Sequence, residues 1–198
     1  MKKILILGAS GLIGHKLLQN FLKFNEFEVF GTLHREKEEY GNLNLFQSDN
    51  ILSPIDALNF NKIESILNDI SPDFILNCIG ITKRKKEISN PLVSIKLNSL
   101  LPHFLSNWAI DNKKKVIHFS TDCVFDGKEA NYMEDSLTTA KDVYGRTKAL
   151  GEIKDKYNIT IRSSFIGQEL FGKTEFLDWF LSMEGKTIKG YSNTLYSG

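Results

Sequence analysis

A buried strand leads into three closely spaced glycines and then into a helix at the beginning of the sequence. Residues 4–7 form the apolar run ILIL, and Gly8, Gly11 and Gly14 follow. Such a run is typical of a strand buried on both faces of a parallel sheet. Glycines after it permit a tight turn and let the backbone approach a pyrophosphate, which the helix N-terminus attracts. The stretch predicts dinucleotide binding, and a purely structural turn is the alternative.

Further strand patterns alternate with helical patterns along the chain. The alternation predicts an α/β fold, a Rossmann-type doubly wound parallel sheet with helices on both faces. In such a sheet, the residues just past the carboxyl ends of the strands line the ligand crevice. The five later strands are expected at residues 27–33, 55–58, 74–79, 116–119 and 159–162, and helices at 60–70, from Asn90-Pro91, from Asp142 and at 176–181.

Composition restricts the classes of partner. The 198 residues suffice for one sizeable α/β domain, and 25 Lys plus Arg against 24 Asp plus Glu give no electrostatic argument for nucleic acid or an anionic membrane. Cys78 and Cys123 match no metal-binding spacing, so no metal is expected. Two cysteines far apart in sequence fit a protein of the reducing cytosol better than a disulfide scaffold. The sequence shows no signal-peptide core, and no apolar run approaches the ~20 residues of a membrane span. We expect a cytoplasmic protein without a membrane segment.

The end of the second strand bears on the choice of cofactor. An acidic residue there would bind the adenosine ribose of NAD, whereas a basic one would meet the 2′-phosphate of NADP. This chain has Thr32, His34 and Arg35. NADP(H) is therefore preferred and NAD(H) stays possible; the alternative for Arg35 is a solvated charge. The charged run at residues 36–39 and the Asn-rich region to Ser53 are expected to form an exposed loop, with or without one short helix or strand, and nothing in them indicates a function.

Residues after the third and fourth predicted strands are also placed at the crevice. Asp56 is expected near the adenine, and Gly80, Ile81 and Thr82 under the cofactor. The basic run at residues 83–86 follows on the same edge. It either meets substrate phosphates or is a solvated charge run.

Two polar residues lie within apolar elements. Asn98 lies in the long helix that begins at Asn90-Pro91. This helix is expected to direct Ile95 and Leu100 inward. Burying Asn98 unpaired would cost about 1–3 kcal/mol, which predicts a hydrogen-bonding role. His118 alternates with apolar neighbours in a strand and is interpreted as a core histidine rather than a base.

The chemistry is expected from Tyr144 and Lys148, which are four residues apart on one helix face. A phenol is a poor acid or base at neutral pH, and a neighbouring ammonium lowers its pKa, which suits proton transfer to a carbonyl oxygen. The hydroxyl of Thr121, at the end of the preceding strand, can hydrogen-bond the same oxygen. Ser120 is the adjacent alternative.

Three segments together resemble the extended short-chain dehydrogenase/reductase superfamily, and within it dTDP-4-dehydrorhamnose reductases and related nucleotide-sugar reductases. They are GASGLIG from Gly8 to Gly14, STDCVFDG from Ser120 to Gly127, and YGRTKALGE from Tyr144 to Glu152. The resemblance implies Thr121, Tyr144 and Lys148 as the catalytic set, with the last two also contacting the cofactor. It implies further cofactor contacts from Gly8, Ser10, Gly11, Leu12, Ile13, Gly14, Asp56, Ala57, Gly80, Ile81 and Thr82, and substrate contacts from Thr121, Asp122 and Cys123.

Departures from related enzymes narrow the expected activity. Sugar 4,6-dehydratases resemble this chain but place Asp-Glu after the catalytic Thr, whereas Asp122 is followed here by Cys123. Epimerase-reductases similar to GDP-fucose synthase have a Cys at that position and use it to deprotonate carbon, paired with a downstream His. No His follows His118 in this sequence. Simple reduction is favoured, with Cys123 lining the pocket.

The resemblance implies an NADPH-dependent reductase of the keto group of a nucleotide-diphosphate deoxysugar, which supplies surface-polysaccharide synthesis. The alternatives are a non-catalytic NADP-binding regulatory subunit and an epimerase-reductase using Cys123. Residues 1–167 are expected to form the NADP-binding domain, and 168–198 the start of a substrate-binding segment whose lobe is truncated or mostly absent. Substrate is expected near Ser163 to Gly167, and a homodimer is possible.

Overall fold

The computed structural model describes residues 1–41, 43–83, 86–129, 131–172 and 175–190. Their six strands form one parallel sheet in the order β3-β2-β1-β4-β5-β6, which confirms the predicted doubly wound fold. The direction of winding reverses between β1 and β4, where such sheets bind their ligands. The strands are β1 (Lys2–Leu7), β2 (Phe27–Thr32), β3 (Ile51–Leu52), β4 (Phe74–Asn77), β5 (Lys115–Ser120) and β6 (Ile159–Arg162).

Helices cover both faces of the sheet, because the apolar residues of β1 alternate between two buried clusters. Ile4 and Ile6 pack with Leu18 on one face, and Leu5 and Leu7 pack with the helices of the other. The helices are α1 (Leu12–Phe21), α2 (Phe60–Ile70), α3 (Pro91–Ser94), a π-helical segment (Ile95–Leu100), α4 (Leu101–Asp111), α5 (Val143–Leu150) and α6 (Phe176–Leu181). None of the helices in the described part of the chain is both long and apolar enough to cross a membrane.

The third strand lies earlier than the sequence predicts. We expected it at residues 55–58, but β3 is the pair Ile51–Leu52. The Asp56 side chain accepts a 2.9 Å hydrogen bond from Leu58 N. A side chain that bonds its own backbone two residues on favours a turn over an extended strand, so the predicted strand is a turn instead.

The long helix after β4 is interrupted by the π-helical segment. Pro102 lies four residues after Asn98 and has no N–H to donate to the carbonyl of that residue. The wider turn changes which residues face inward: Ile95 is 37% exposed and Leu100 is 50% exposed, although both were expected to be buried. Asn98 itself is buried.

Part of the segment 36–53 belongs to the core rather than to an exposed loop. It contains two short 3₁₀ helices, Lys37–Tyr40 and Asn44–Phe46. Tyr40 and Phe46 are buried and meet edge to face with their ring centroids 5.4 Å apart. Their aromatic side chains cover one edge of the cluster that includes β1 and β2.

Candidate active site

A cavity of about 1060 Å³ opens along the carboxyl edge of the sheet. Residues that follow β1, β2, β4, β5 and β6 contribute to its wall. It brings together twelve of the residues expected to form the site: Ser10, Gly11, Leu12, Ile13, Arg35, Gly80, Thr82, Thr121, Asp122, Cys123, Tyr144 and Lys148. Five others are not part of its lining: Gly8, Gly14, Asp56, Ala57 and Ile81.

The glycine turn shapes one end of this cavity. Gly8 has a φ of +79°, which L side chains rarely adopt. A Cβ on Gly14 would lie 2.1 Å from the Gly8 carbonyl oxygen, so only glycine lets α1 start this close to the turn. Gly11 caps α1 without a side-chain hydrogen bond, and no acidic residue lies in the first turn. The amide end of α1 therefore suits an anion such as a pyrophosphate.

Asp56 and Ala57 lie away from the cavity. Asp56 lines a separate shallow groove together with Lys96 and Leu100. Ala57 is buried in the apolar cluster beneath α2. In this structure, the two residues do not share a cavity with the glycine turn.

Asn98 connects the loop after β4 to the helix that carries Tyr144. Its Oδ1 accepts a 2.8 Å hydrogen bond from Ile81 N, and its Nδ2 donates to Ile81 O and to Thr147 Oγ1, both at 3.1 Å. A Cβ on Gly151 would lie 1.9 Å from Asn98 O, so the end of α5 packs directly against the π-helical segment. The predicted hydrogen-bonding role of Asn98 is confirmed.

Thr82 presents an unsatisfied hydroxyl in the cavity wall. Its Oγ1 is buried and has no hydrogen-bond partner among the described residues. A buried hydroxyl without a partner costs free energy, which a bound polar ligand would recover. Together with the free end of α1 and the Arg35 side chain, it makes the cavity suitable for a dinucleotide.

The two hydroxyls at the end of β5 have different partners. Ser120 Oγ donates to Glu152 Oε1 at 3.0 Å, and both oxygens of Glu152 accept 2.7 Å hydrogen bonds from Arg162. Thr121 Oγ1 donates to Asp122 Oδ1 at 3.1 Å. Thr121 also lies beside Tyr144, where burial raises the pKa of the phenol and Thr121 opposes the rise. Thr121 is therefore the strand-end hydroxyl that lies beside the tyrosine.

Lys148 is buried beneath the cavity, with 4% of its surface exposed. Its Nζ donates a 2.6 Å hydrogen bond to Phe119 O and lies 3.3 Å from His118 Nε2. Burial lowers the pKa of Lys148 to about 8, against opposing effects of Glu152 and Cys78. The interpretation of His118 as a core residue is thus incomplete, because the imidazole contacts the lysine of the expected catalytic pair.

The pKa of Tyr144 differs from the expectation. Burial raises it, Thr121 opposes the rise, and the nearby Cys123, Asp122 and Glu175 add to it. The predicted lowering by an adjacent ammonium is therefore wrong for the protein without a ligand. The phenol of the free protein is consequently a hydrogen donor at neutral pH.

The N-terminus of α5 holds Tyr144 at the rim of the cavity. Asp142 Oδ1 accepts a 3.0 Å hydrogen bond from Gly145 N, and its other oxygen pairs with Lys83 Nζ at 3.2 Å. Lys83 Nζ also lies 5.8 Å from the centroid of the Tyr144 ring. Of the basic run at 83–86, Lys83 lines the cavity, residues 84 and 85 lie outside the described residues, and the Lys86 side chain is not described.

Aromatic residues that the sequence interpretation did not single out form much of the remaining wall. Tyr40 OH accepts 3.3 Å hydrogen bonds from Ser10 Oγ and from Arg35 N, and its ring meets Phe171 at 5.1 Å. Tyr40 thus connects the glycine turn to the residues after β2. The sequence signal that could have identified it is an aromatic residue within a polar segment. The other aromatic wall residues are Phe119, Phe165, Phe176, Trp179 and Phe180.

The remaining expectations concern cysteines, metals and the last residues. Cys78 and Cys123 are free and both line the cavity, and burial raises the pKa of the Cys78 thiol. No cluster of His, Cys, Asp or Glu suited to a metal ion occurs among the residues that the structure describes. The expected α6 is present. The sequence also predicts a strand or an extended segment at residues 187–196, of which residues 191–196 lie outside the described residues.

Comparison with known proteins gives one family and several relatives. The family model described as RmlD substrate binding domain matches residues 1–169. The probable low-salt glycan biosynthesis reductase Agl14 of Haloferax volcanii is 29% identical over 148 residues, which cover 74% of this chain and 46% of that protein. Methionine adenosyltransferase 2 subunit beta of Xenopus tropicalis is 30% identical over 154 residues, covering 76% and 42%. The chain thus spans less than half the length of these relatives.

Solved structures share the fold. A hypothetical dTDP-4-dehydrorhamnose reductase from Sulfolobus tokodaii superimposes with a TM-score of 0.67 at 27% identity, covering 82% of this chain and 56% of that one. The dTDP-4-dehydrorhamnose reductase of Bacillus anthracis, solved in complex with NADP, gives a TM-score of 0.70 at 21% identity, covering 92% and 60%.

Proposed function

Because the chain belongs to the RmlD substrate binding domain family, we propose that it is an NADPH-dependent reductase of the keto group of a nucleotide-linked deoxysugar. The observation that carries the proposal is the arrangement of Thr121, Tyr144 and Lys148 at one cavity, together with the turn that precedes α1. The names of the reductase relatives support this choice, and the glycan named for Agl14 supports a role in surface polysaccharide synthesis.

Residues that follow β1, β2 and β4 would hold the cofactor. The amide end of α1 would bind the pyrophosphate, and Arg35 would meet a 2′-phosphate, which favours NADP(H) over NAD(H). Thr82 would offer its unpaired hydroxyl from the loop after β4. We propose residues 1–167 as this nucleotide-binding unit and 168–198 as the beginning of the substrate-binding part.

When bound, NADPH supplies the hydride for the reduction. Tyr144 would donate its proton to the oxygen of the reduced carbonyl, and the raised pKa of the phenol keeps that proton in place at neutral pH. The Thr121 hydroxyl, which donates its one hydrogen to Asp122 in this structure, would turn to donate it to the same oxygen as negative charge develops there. Lys148 would orient the nicotinamide ribose from below, and Asp122 and Cys123 would contact the sugar.

The experiment that tests the proposal follows the loss of NADPH absorbance with a panel of nucleotide-linked 4-keto sugars. Tyr144→Phe in the full-length protein should reduce turnover by about 100-fold or more, because proton transfer contributes at least this much. NADPH binding, measured by fluorescence, should stay within a factor of about two, since the phenol hydroxyl is a minor part of the binding surface.

A matched control is Tyr157→Phe. Tyr157 is 51% exposed and does not line the cavity, so losing its hydroxyl should leave both turnover and NADPH binding unchanged. Equal loss of turnover in the two variants would contradict the role assigned to Tyr144. Loss of NADPH binding together with turnover in Tyr144→Phe would contradict it as well.

A second candidate is a non-catalytic NADP-binding regulatory subunit. The relative named methionine adenosyltransferase 2 subunit beta, at 30% identity, favours this alternative. The presence of Thr121, Tyr144 and Lys148 in one cavity favours the enzyme, because a binding subunit does not need a proton donor. Tight NADPH binding by the full-length protein without turnover of any sugar in the panel would decide for the subunit.

A further inference from the structure

A chain of buried polar groups runs beneath the cavity from the end of β4 to Lys148. Asn77 Oδ1 accepts a 3.2 Å hydrogen bond from Ile79 N, and Asn77 Nδ2 lies 3.1 Å from His118 Nδ1. His118 Nε2 lies 3.3 Å from Lys148 Nζ, which donates to Phe119 O at 2.6 Å. Asn77 and His118 are fully buried, so water does not substitute for these partners.

The backbone N–H of Ile79 determines which way the hydrogen bonds of this series run, starting at Asn77. An amide N–H is only a donor, so the Asn77 atom that faces it must be the carbonyl oxygen. The Asn77 amide nitrogen therefore faces His118 and donates to Nδ1. An imidazole nitrogen that accepts a hydrogen bond carries no proton, and a neutral imidazole then has its hydrogen on Nε2.

The Nε2–H of His118 points at Lys148 Nζ as a consequence. An ammonium has three donors and no acceptor, so it cannot accept this hydrogen bond. A neutral amine can, since it has one lone pair, and it still has a hydrogen to donate to Phe119 O.

We propose that Asn77 and His118 are positioning residues that set the protonation state of Lys148: they present an Nε2–H donor to its amine and thereby favour the neutral form in the free protein. Burial of Lys148 acts in the same direction, because it lowers the pKa of the amine to about 8. Burial holds the pKa of His118 well below its usual value, and a positive charge on Lys148 lowers it further, so the imidazole stays neutral in either form of the lysine.

Other ionisable groups face this pair from the neighbouring elements. Glu152, after α5, and Cys78, after β4, raise the pKa of Lys148. His103 of α4 acts on His118 and lowers its pKa further. Tyr144 lies one turn before Lys148 on α5. Of these, His118 is the group within hydrogen-bond distance of the lysine nitrogen.

The consequence for catalysis rests on the proposed function, whereas the hydrogen-bond direction does not. If Lys148 orients the nicotinamide ribose as an ammonium, its Nζ must give up the bond from His118 when it takes a proton. Asn77 and His118 would then determine the pH above which the lysine no longer acts as a cation. The alkaline limb of kcat/KM reports this pKa for the free enzyme.

The decisive experiment is a long-range proton–nitrogen NMR spectrum of the ¹⁵N-histidine-labelled full-length protein at about pH 9, above the lysine pKa. The sequence has only four histidines, so the His118 signals can be assigned through their bonds to the backbone. We expect an unprotonated Nδ1 and a protonated Nε2. A protonated Nδ1, or an imidazolium, would overturn the proposal without any variant having to fold.

The Asn77→Asp variant tests the same series of hydrogen bonds, because it should reverse their direction. A carboxylate accepts from both Ile79 N and His118 Nδ1, so His118 should change to the Nδ1–H form and turn an acceptor towards Lys148. The Lys148 pKa, followed by the ¹³Cε shift of labelled lysine, should rise from about 8. An unchanged imidazole form in a folded Asn77→Asp protein would refute the coupling. Because these spectra need no substrate, a failure of the proposed function would show separately, as absent turnover in the wild type.

Discussion

Ser120 donates its hydroxyl hydrogen to Glu152 at 3.0 Å and so supports the buried carboxylate that also binds Arg162. Its neighbour Thr121 lies beside Tyr144 at the cavity. Two adjacent hydroxyls on one strand end therefore have separate tasks. The sequence left both open as the catalytic hydroxyl, and their partners distinguish them.

Substituting the two residues should separate stability from turnover. Ser120→Ala should lower the free energy of unfolding by about 1 kcal/mol and leave kcat nearly unchanged, because it removes one buried hydrogen bond. Thr121→Val should lower kcat about 100-fold, because it removes a donor to the developing oxyanion. Urea denaturation and steady-state kinetics measure the two effects. Thr121→Ser keeps the hydroxyl and is the control; a loss of activity equal to that of Thr121→Val would contradict the assignment.

Arg35→Ala should change the preference between cofactors. Removing the guanidinium should weaken NADPH binding about tenfold, worth about 1.4 kcal/mol, and leave NADH binding unaffected, because only NADPH carries the 2′-phosphate. Fluorescence titration with both cofactors measures the difference. Lys37→Ala serves as the control, since Lys37 is near in sequence but donates to Ser48 O. Equal weakening of NADPH and NADH would show that Arg35 does not contact the phosphate.

Gly14→Ala should destabilise the fold itself. The new methyl would lie 2.1 Å from Gly8 O, and the backbone of α1 would have to move away from β1. Overpacking of this kind costs about 1–3 kcal/mol or more, measured as a lower midpoint of urea unfolding. Gly190→Ala places a methyl where no atom of the described residues lies within 4 Å, and it should leave the midpoint unchanged. A fully stable Gly14→Ala protein would mean that the turn is more adaptable than its geometry indicates.

The buried lysine should make stability depend on pH in a defined direction. Lys148 has a pKa of about 8 in the folded protein and of 10.5 in the unfolded chain, so between these values the unfolded chain binds more protons. The contribution of Lys148 to the free energy of unfolding should therefore rise as pH increases from about 8 to about 10.5, and be constant below this window. The difference between wild type and Lys148→Met isolates it, since the ionisable groups that do not interact with Lys148 cancel. A difference that falls with pH would show that the ammonium is stabilised by folding.

Much of the fold follows from local patterns in the sequence. The apolar run at 4–7 and the glycines after it predict β1, the turn and α1, and the structure contains them. Strand β3 could not be found in this way, because Ile51–Leu52 has only two residues and the turn at Asp56 lies within an apolar pattern. The π-helical interruption of the long helix was not predicted either, although the sequence contains Pro102, which cannot donate a backbone hydrogen bond.

The site was predictable where residues act through their position at a strand end or their spacing on a helix. It was not predictable where they act through burial. Tyr144 and Lys148 lie at the cavity as their spacing indicated. The raised pKa of Tyr144 depends first on burial and then on nearby ionisable groups, which spacing does not reveal. The contact between His118 and Lys148 joins residues 30 positions apart, so it required the register of β5 against α5.

Because no side chain fits at Gly151, insertions and deletions near this residue are restricted. Since a Cβ at Gly151 would collide with the Asn98 carbonyl oxygen, the end of α5 packs directly against the π-helical segment, only three residues beyond Lys148. One inserted residue between the two would turn the lysine by ~100° around the helix axis and out of reach of Phe119 O. Insertions and deletions should therefore be tolerated in the exposed loop at 126–129 and 131–139 but excluded between residues 144 and 151, in natural relatives and in engineered libraries alike.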